Sequence, residues 1–192
     1  MNKLRSFLVL VFAAHLLIPA YAAADDFTKA TKVFRDHPVV QPYFAQSYGY
    51  AIFPTIGKGG IGIGGAHGSG QVYAGGKVTG KTSMTQVTIG FQLGGQAYSQ
   101  IIFFKDKRAY QEFTSGNFEF GAQASAVAIT AGAQAQTGTT GAGASASPGG
   151  SAGSQAKTEF HKGMAVFTRA KGGLMYEASI GGQKFSFEPV GK

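Results

Sequence analysis

Residues Gly75 to Thr82 read GGKVTGKT, which matches the phosphate-binding loop of nucleotide hydrolases letter for letter. In such a loop a helix follows directly, and its N-terminal N–H groups hold the phosphates while the lysine and threonine contact phosphate and magnesium. Here the residues after Thr82 alternate in character as a strand does, so the expected helix is missing. We therefore interpret this segment as a glycine-rich β-hairpin and predict no nucleotide site.

Two overlapping segments, Gly57–Gly62 (GKGGIG) and Gly60–Gly65 (GIGIGG), match the glycine spacing of dinucleotide-binding folds. Neither has the strand–loop–helix surroundings or the acidic ribose partner that such a site needs. Dense glycine also permits bulges, positive φ angles and close backbone approach, which a strongly bent sheet requires. The pattern therefore predicts sheet curvature.

Residues with catalytic or metal-binding chemistry are few and scattered. His37, His67 and His161 lack metal-ligand spacing, and no serine lies in a nucleophile-elbow pattern. The chain has no cysteine, which excludes disulfides and thiolate metal sites. We predict a protein that is not an enzyme and carries no cofactor or metal.

Basic residues are the remaining candidates for function. The chain has 17 Lys and Arg against 9 Asp and Glu, a formal net charge of +8, which suits anionic partners such as phospholipid headgroups. The predicted headgroup contacts lie in the glycine-rich hairpins and at the start of a short helix: Lys58, Lys77, Lys81, Lys105, Lys107 and Arg108. A second basic group lies on the N-terminal helix: Lys29, Lys32 and Arg35.

The first 22 residues read as a cleavable signal peptide. Lys3 and Arg5 precede the apolar run Phe7–Ile18, and Ala20-Tyr21-Ala22 supplies the small residues of a cleavage site, with an alternative cut after Ala24. The run has twelve residues, whereas a membrane-spanning helix needs roughly 20. Cleavage leaves 15 basic and 9 acidic residues, a charge of +6. We predict a protein exported to the periplasm or cell envelope, or secreted, without nucleic-acid or nucleotide partners.

The elements that would position these residues form one domain from 23 to 192. Asp25-Asp26 begins a predicted helix whose apolar face carries Phe27, Ala30, Val33, Phe34 and His37, and which either lies on a membrane or packs on the domain. It must end before Pro38. Residues 42–47 could add a second short helix. Asp106 caps another, with Ala109, Tyr110 and Phe113 facing inward and Gly116 beyond its end.

The rest of the chain predicts strands. Residues 50–53 form one that ends at Pro54, and residues 84–93 alternate as a half-buried strand, with 96–104 as its hairpin partner across Gly94-Gly95. Further strands are predicted over 118–136, 164–170, 173–180 and 184–187. Residues 137–156 are low-complexity Gly/Ala/Ser sequence and predict a flexible loop. The predicted class is α+β, mainly antiparallel, with a strongly curved glycine-rich sheet or partly open barrel-like core and a few short helices.

An ordered series of motifs resembles the SYLF family, a lipid-binding domain of bacterial exported proteins and of eukaryotic phosphoinositide- and actin-associated proteins. The resemblance runs from about Tyr43 to Phe187 and departs from the family at Thr137–Gln155. Its motifs are GYAIFP at Gly49–Pro54, the glycine clusters within Gly57–Gly70, GFQLGGQAY at Gly90–Tyr98, the Phe113–Gly116 helix end and KGGLM at Lys171–Met175.

The resemblance implies a compact β-rich domain with affinity for anionic phospholipid, and Lys58 corresponds to a basic position of the family. Phosphoinositide and actin partners are not carried over, because they are not expected for an exported bacterial-type chain. The sequence thus predicts a non-enzymatic, envelope-associated module that binds an anionic membrane surface. A small outer-membrane β-barrel, or a structural or protein-interaction module of the envelope, remain the alternatives.

Overall fold

The computed structural model describes residues 18–90, 95–121, 124, 126–129, 160–171 and 180–191. Three helices and seven strands follow one another along the described chain. They are α1 (Ile18–Arg35), α2 (Gln41–Gln46), β1 (Gly49–Ala74), β2 (Lys77–Gly90), β3 (Gln96–Phe104), α3 (Lys107–Phe113), β4 (Phe118–Glu119), β5 (Val127–Ile129), β6 (Met164–Lys171) and β7 (Lys184–Pro189).

The seven strands form one curled sheet in the order β4-β7-β2-β1-β3-β6-β5. Neighbouring strands are antiparallel except β5 and β6, which are parallel. The predicted fold class, a mainly antiparallel and strongly curved sheet with few short helices, is confirmed.

The curvature is concentrated in β1, which pairs with β3 through its first half and with β2 through its second half. The two halves also pack against each other at glycines. A Cβ on Gly70 would lie 2.7 Å from the Phe53 ring, and a Cβ on Gly68 would lie 2.8 Å from the carbonyl oxygen of Thr55. Side chains larger than hydrogen would therefore push the halves apart, and glycine there permits the fold-back.

Two strand predictions are wrong, and this long strand explains both. β1 does not end at Pro54, because a register shift between Phe53 and Ile56 accommodates the missing proline N–H. β3 is not the hairpin partner of β2, because the folded-back β1 lies between them and pairs with each.

The sheet buries both of its faces at β3 and β6, so two apolar clusters hold the fold. The inner cluster includes Phe53, Ile102, Phe104, Phe113 and Phe185, and α3 packs against it. The outer cluster lies beneath α1 and α2: Phe34, Val40, Ile52, Ile101, Phe103, Ala165 and Phe167. In contrast β2 buries only the face that carries Thr82, Met84 and Gln86, and it leaves Val87 76% exposed.

Helix α1 packs on the sheet through Phe34, which is fully buried, with Phe27 and Ala30 beside it. The packed interpretation of this helix is therefore confirmed. Val33, predicted on the same face, is 37% exposed instead. In the described chain the helix already includes Ile18, before the Asp25-Asp26 pair, because the intervening alanines favour helix. Cleavage after Ala22 stays a prediction.

Helix α3 begins as the sequence predicts. The Asp106 side chain accepts a hydrogen bond from the backbone N–H of Ala109 at 2.9 Å, and Ala109 and Phe113 are buried. Of the strand predicted over 118–136, the described part contains only β4 and β5. The predicted strand over 173–180, except Ile180, and the predicted loop over 137–156 lie outside the described residues. No helix in the described chain is both long and apolar enough to cross a membrane.

Candidate functional site

The segment that matches a phosphate-binding loop is a β-hairpin. Gly75 and Gly76 have φ angles of 57° and 76° and form the turn that joins Ala74 to Lys77. The residues up to Thr82 continue as β2, where the backbone groups pair with β1 and β7. These N–H groups are therefore held in the sheet ladder and do not form a phosphate cradle.

The histidines lie far apart in the sequence and belong to different parts of the fold. His37 follows α1, His67 lies on the exposed face of β1, and His161 precedes β6. Burial lowers the pKa of His37, and the nearby positive charge of Arg169 lowers it further. Within the described part of the chain, no three His, Cys, Asp or Glu residues come together as a candidate metal site.

The interior of the curled sheet holds a buried polar cluster. The side-chain amides of Gln100 and Gln183 exchange hydrogen bonds at 2.9 and 3.2 Å, and the Gln183 amide also donates to the Tyr98 hydroxyl at 3.3 Å. Burial raises the pKa of Tyr98 to about 12, so its hydroxyl stays neutral. Because these groups satisfy one another, we interpret the cluster as a tie between β3 and the turn before β7.

One group of exposed basic residues lies at one end of the sheet. Gly49 pairs with Phe104 there and packs against Tyr73 and Ala74, so the start of β1, the end of β3 and the Gly75–Gly76 turn lie together. We call this region the hairpin end. Its exposed basic residues come from three separate chain segments: Lys77, Lys105, Lys107, Arg108 and Lys162.

Two of these segments are joined directly. The backbone N–H of Lys105 donates to the Gly163 carbonyl oxygen at 2.9 Å, and the Arg108 guanidinium lies 3.5 Å from the carbonyl oxygen of Lys162. Arg108 also forms an ion pair with Glu112 at 3.2 Å. In contrast, no carboxylate of the described residues lies within 4 Å of the ammonium groups of Lys105, Lys107 or Lys162.

The predicted headgroup residues therefore do not form one surface. Lys77, Lys105, Lys107 and Arg108 meet at the hairpin end, whereas Lys58 pairs with Gln96 at the opposite end of the first half of β1. Lys81 lies directly across from Glu188 of β7, so its cross-strand neighbour is an acidic residue.

The basic residues of α1 are all engaged. Lys29 forms an ion pair with Asp25, and Lys32 forms one with Asp36. The Arg35 guanidinium carbon lies 4.7 Å from the centre of the Phe44 ring. We infer that these three residues contribute mainly to the solvent-exposed side of the helix and do not form a separate binding surface.

Lys162 was missed by the sequence prediction. It follows Arg108 by 54 positions, and no local pattern indicates that the turn before β6 meets the start of α3. The Lys162-Gly163 pair directly before a strand was the available signal, because glycine there predicts a turn.

Apolar side chains accompany the charges at the hairpin end. Tyr48, Val78 and Val190 are 43%, 37% and 52% exposed. The backbone N–H of Tyr48 donates to the Phe104 carbonyl oxygen, beside Lys105, and that of Val190 donates to the Thr79 carbonyl oxygen, beside Val78. The chain is therefore a β-rich domain with a curled glycine-rich sheet that presents basic and apolar side chains together at one end.

The chain belongs to the Ysc84 family, whose model is described as "Las17-binding protein actin regulator" and matches residues 85–189, more than half of the sequence. This is the SYLF family that the motifs resemble, so that resemblance is confirmed. Members of the family are generally not enzymes, and they are associated with lipid binding and protein partners.

The chain is also similar to beta cell expansion factor A of Aeromonas veronii. The two are 26% identical over 161 residues, which cover 82% of this chain and 52% of that protein. The chain therefore spans about half the length of this curated relative.

Proposed function

We propose that this protein is a non-enzymatic module that binds the anionic phospholipid surface of the cell envelope through the hairpin end. The observation that carries the proposal is the meeting of Lys77, Lys105, Lys107 and Lys162 from three chain segments, without a carboxylate of the described residues in ion-pair distance. Family membership supports a lipid-binding or actin-related module in general.

Electrostatic attraction supplies most of the binding in this proposal. Each basic residue near an anionic bilayer contributes about 1 kcal/mol, and the attraction falls off within about 8 Å at physiological salt. Charges that cluster at one end of the domain can enter this layer together. Lys58, at the opposite end of the first half of β1, cannot contribute at the same time.

Shallow burial of apolar groups adds to this attraction. Tyr48 can place its ring at the boundary between headgroups and acyl chains, as tyrosines commonly do at membrane interfaces. Val78 and Val190 offer further apolar surface on the same side. Because the hairpin end is both basic and apolar, it fits a phospholipid surface better than it fits a purely polar anion.

Export to the envelope is the second part of the proposal, and it rests on the signal-peptide pattern of residues 1–22. Export brings the domain to phospholipid and away from cytoplasmic nucleotides and actin. The intact mass of the protein purified from an envelope extract should lack residues 1–22 or 1–24. A mass that includes residue 1 contradicts export by cleavage.

Co-sedimentation with vesicles tests the lipid proposal. The exported protein should bind vesicles that contain phosphatidylglycerol more tightly as the anionic fraction rises, and should be released as the salt concentration rises. Vesicles of phosphatidylcholine alone are the control. Equal binding to both vesicle types, or binding to neither, contradicts the proposal.

A further inference from the structure

The turn before β6 contains a lysine in an unusual backbone conformation. Lys162 has a φ of 51°, and no other non-glycine residue among those described has a positive φ. This left-handed region is unfavourable for L-residues, although glycine and asparagine enter it readily. Strain of this kind is often retained at functional sites, so an exposed lysine there calls for an explanation.

Contacts from the start of α3 hold this turn in place. The Arg108 guanidinium lies between the Lys162 carbonyl oxygen, at 3.5 Å, and the Glu112 carboxylate, at 3.2 Å. Gly163 follows with a φ of 82°, and a Cβ there would lie 2.8 Å from the same guanidinium. The Arg108 guanidinium thus contacts Glu112 on one side and the turn at Lys162 on the other. We infer that Arg108 acts as a positioning residue for Lys162.

We propose that Lys162 contacts lipid phosphate together with Lys105 and Lys107, and that Arg108 positions it. This inference deepens the proposed function and rests on it. Lys105 and Gly163 are joined by a backbone hydrogen bond, so Lys105 and Lys162 extend from adjacent chain segments. Each ammonium offers three N–H donors to phosphate oxygens.

The occupant is the surface of an anionic bilayer rather than free phosphate. All three lysines are exposed. Tyr48 is also exposed and lies beside them, because its backbone N–H donates to the Phe104 carbonyl oxygen. A phosphate that is part of a membrane brings an interface on which the tyrosine ring can settle, whereas a dissolved phosphate does not.

Lys162→Asn tests the inference, because asparagine removes the charge and still suits the left-handed conformation. We expect binding to phosphatidylglycerol vesicles to weaken about fivefold, which corresponds to about 1 kcal/mol for one basic residue. The melting temperature should stay equal or rise. Lys184→Gln is the matched control: it removes one charge at β7, where Lys184 pairs with Glu119 at 3.7 Å, and should leave binding nearly unchanged.

A second pair of variants tests the positioning role. Arg108→Lys keeps the charge and loses the guanidinium that spans Glu112 and the Lys162 carbonyl. We expect it to weaken vesicle binding in the wild-type background and to change nothing in the Lys162→Asn background. A residue with a merely structural role would change both backgrounds equally.

Two outcomes overturn the inference while the proposed function stands. The first is that the Lys162→Asn variant binds vesicles as tightly as the wild-type protein. The second is that inorganic phosphate, at constant ionic strength, displaces the protein from vesicles. The second outcome would show a site for free phosphate. If wild-type protein shows no preference for anionic vesicles, the proposed function itself fails.

Discussion

Replacing Phe103 with alanine is expected to lower the free energy of unfolding by about 3–5 kcal/mol. Phe103 is fully buried on β3, and its ring lies 4.9 Å from that of Phe44 and 5.6 Å from that of Tyr43. Its ring also lies 6.0 Å from that of Phe167 on β6. The truncation would leave a cavity where α2 meets the sheet, because several rings share this contact.

Urea denaturation followed by circular dichroism measures this loss. Val87→Ala is the control, because Val87 is 76% exposed and its truncation should change stability by less than about 0.5 kcal/mol. A loss below about 1 kcal/mol in Phe103→Ala would mean that the outer cluster does not hold the helices on the sheet.

Replacing Lys105, Lys107 and Lys162 together is expected to weaken binding to anionic vesicles roughly a hundredfold, since three charges contribute about 3 kcal/mol. The variant carries glutamine at 105 and 107 and asparagine at 162. Its unfolding free energy should stay close to wild type, because all three side chains are exposed. Vesicle co-sedimentation at fixed ionic strength measures the change.

A charge-matched variant controls for net charge. Glutamine at Lys29, Lys32 and Lys184 removes three charges that are already paired with Asp25, Asp36 and Glu119. We expect it to retain most of the vesicle binding. If this variant loses binding and the first does not, α1 rather than the hairpin end meets the membrane.

The fold class followed from sequence because local patterns carry it. The apolar segment after Gly94-Gly95 predicted β3 with the bounds that the structure has, and Asp106 predicted the start of α3. The pairing of β3 with β1 was not predictable, because it depends on a strand that folds back on itself, with Gly68 and Gly70 packed against residues 12 to 18 positions earlier in the same strand. Pro54 suggested that β1 ends there, whereas the strand continues through a bulge at that point.

The candidate surface was predictable only in part. Lys105, Lys107 and Arg108 were found as a local basic run at a helix start. Lys162 was not found, because it is linked to this run by the contact between the Arg108 guanidinium and its own carbonyl oxygen, across 54 positions of the sequence. Charge counting also could not show that Lys29 and Lys32 are already paired, since that depends on the helix register.

The central claim is that the hairpin end faces the bilayer, and the absence of cysteine from the chain permits a direct measurement. Single cysteines at Val190, at the hairpin end, and at Val87, on the exposed face of β2, can each carry an environment-sensitive fluorophore. With phosphatidylglycerol vesicles, we predict a blue shift for the label at 190 and no shift for the label at 87. A shift at 87 alone, or equal shifts at both positions, would contradict the account.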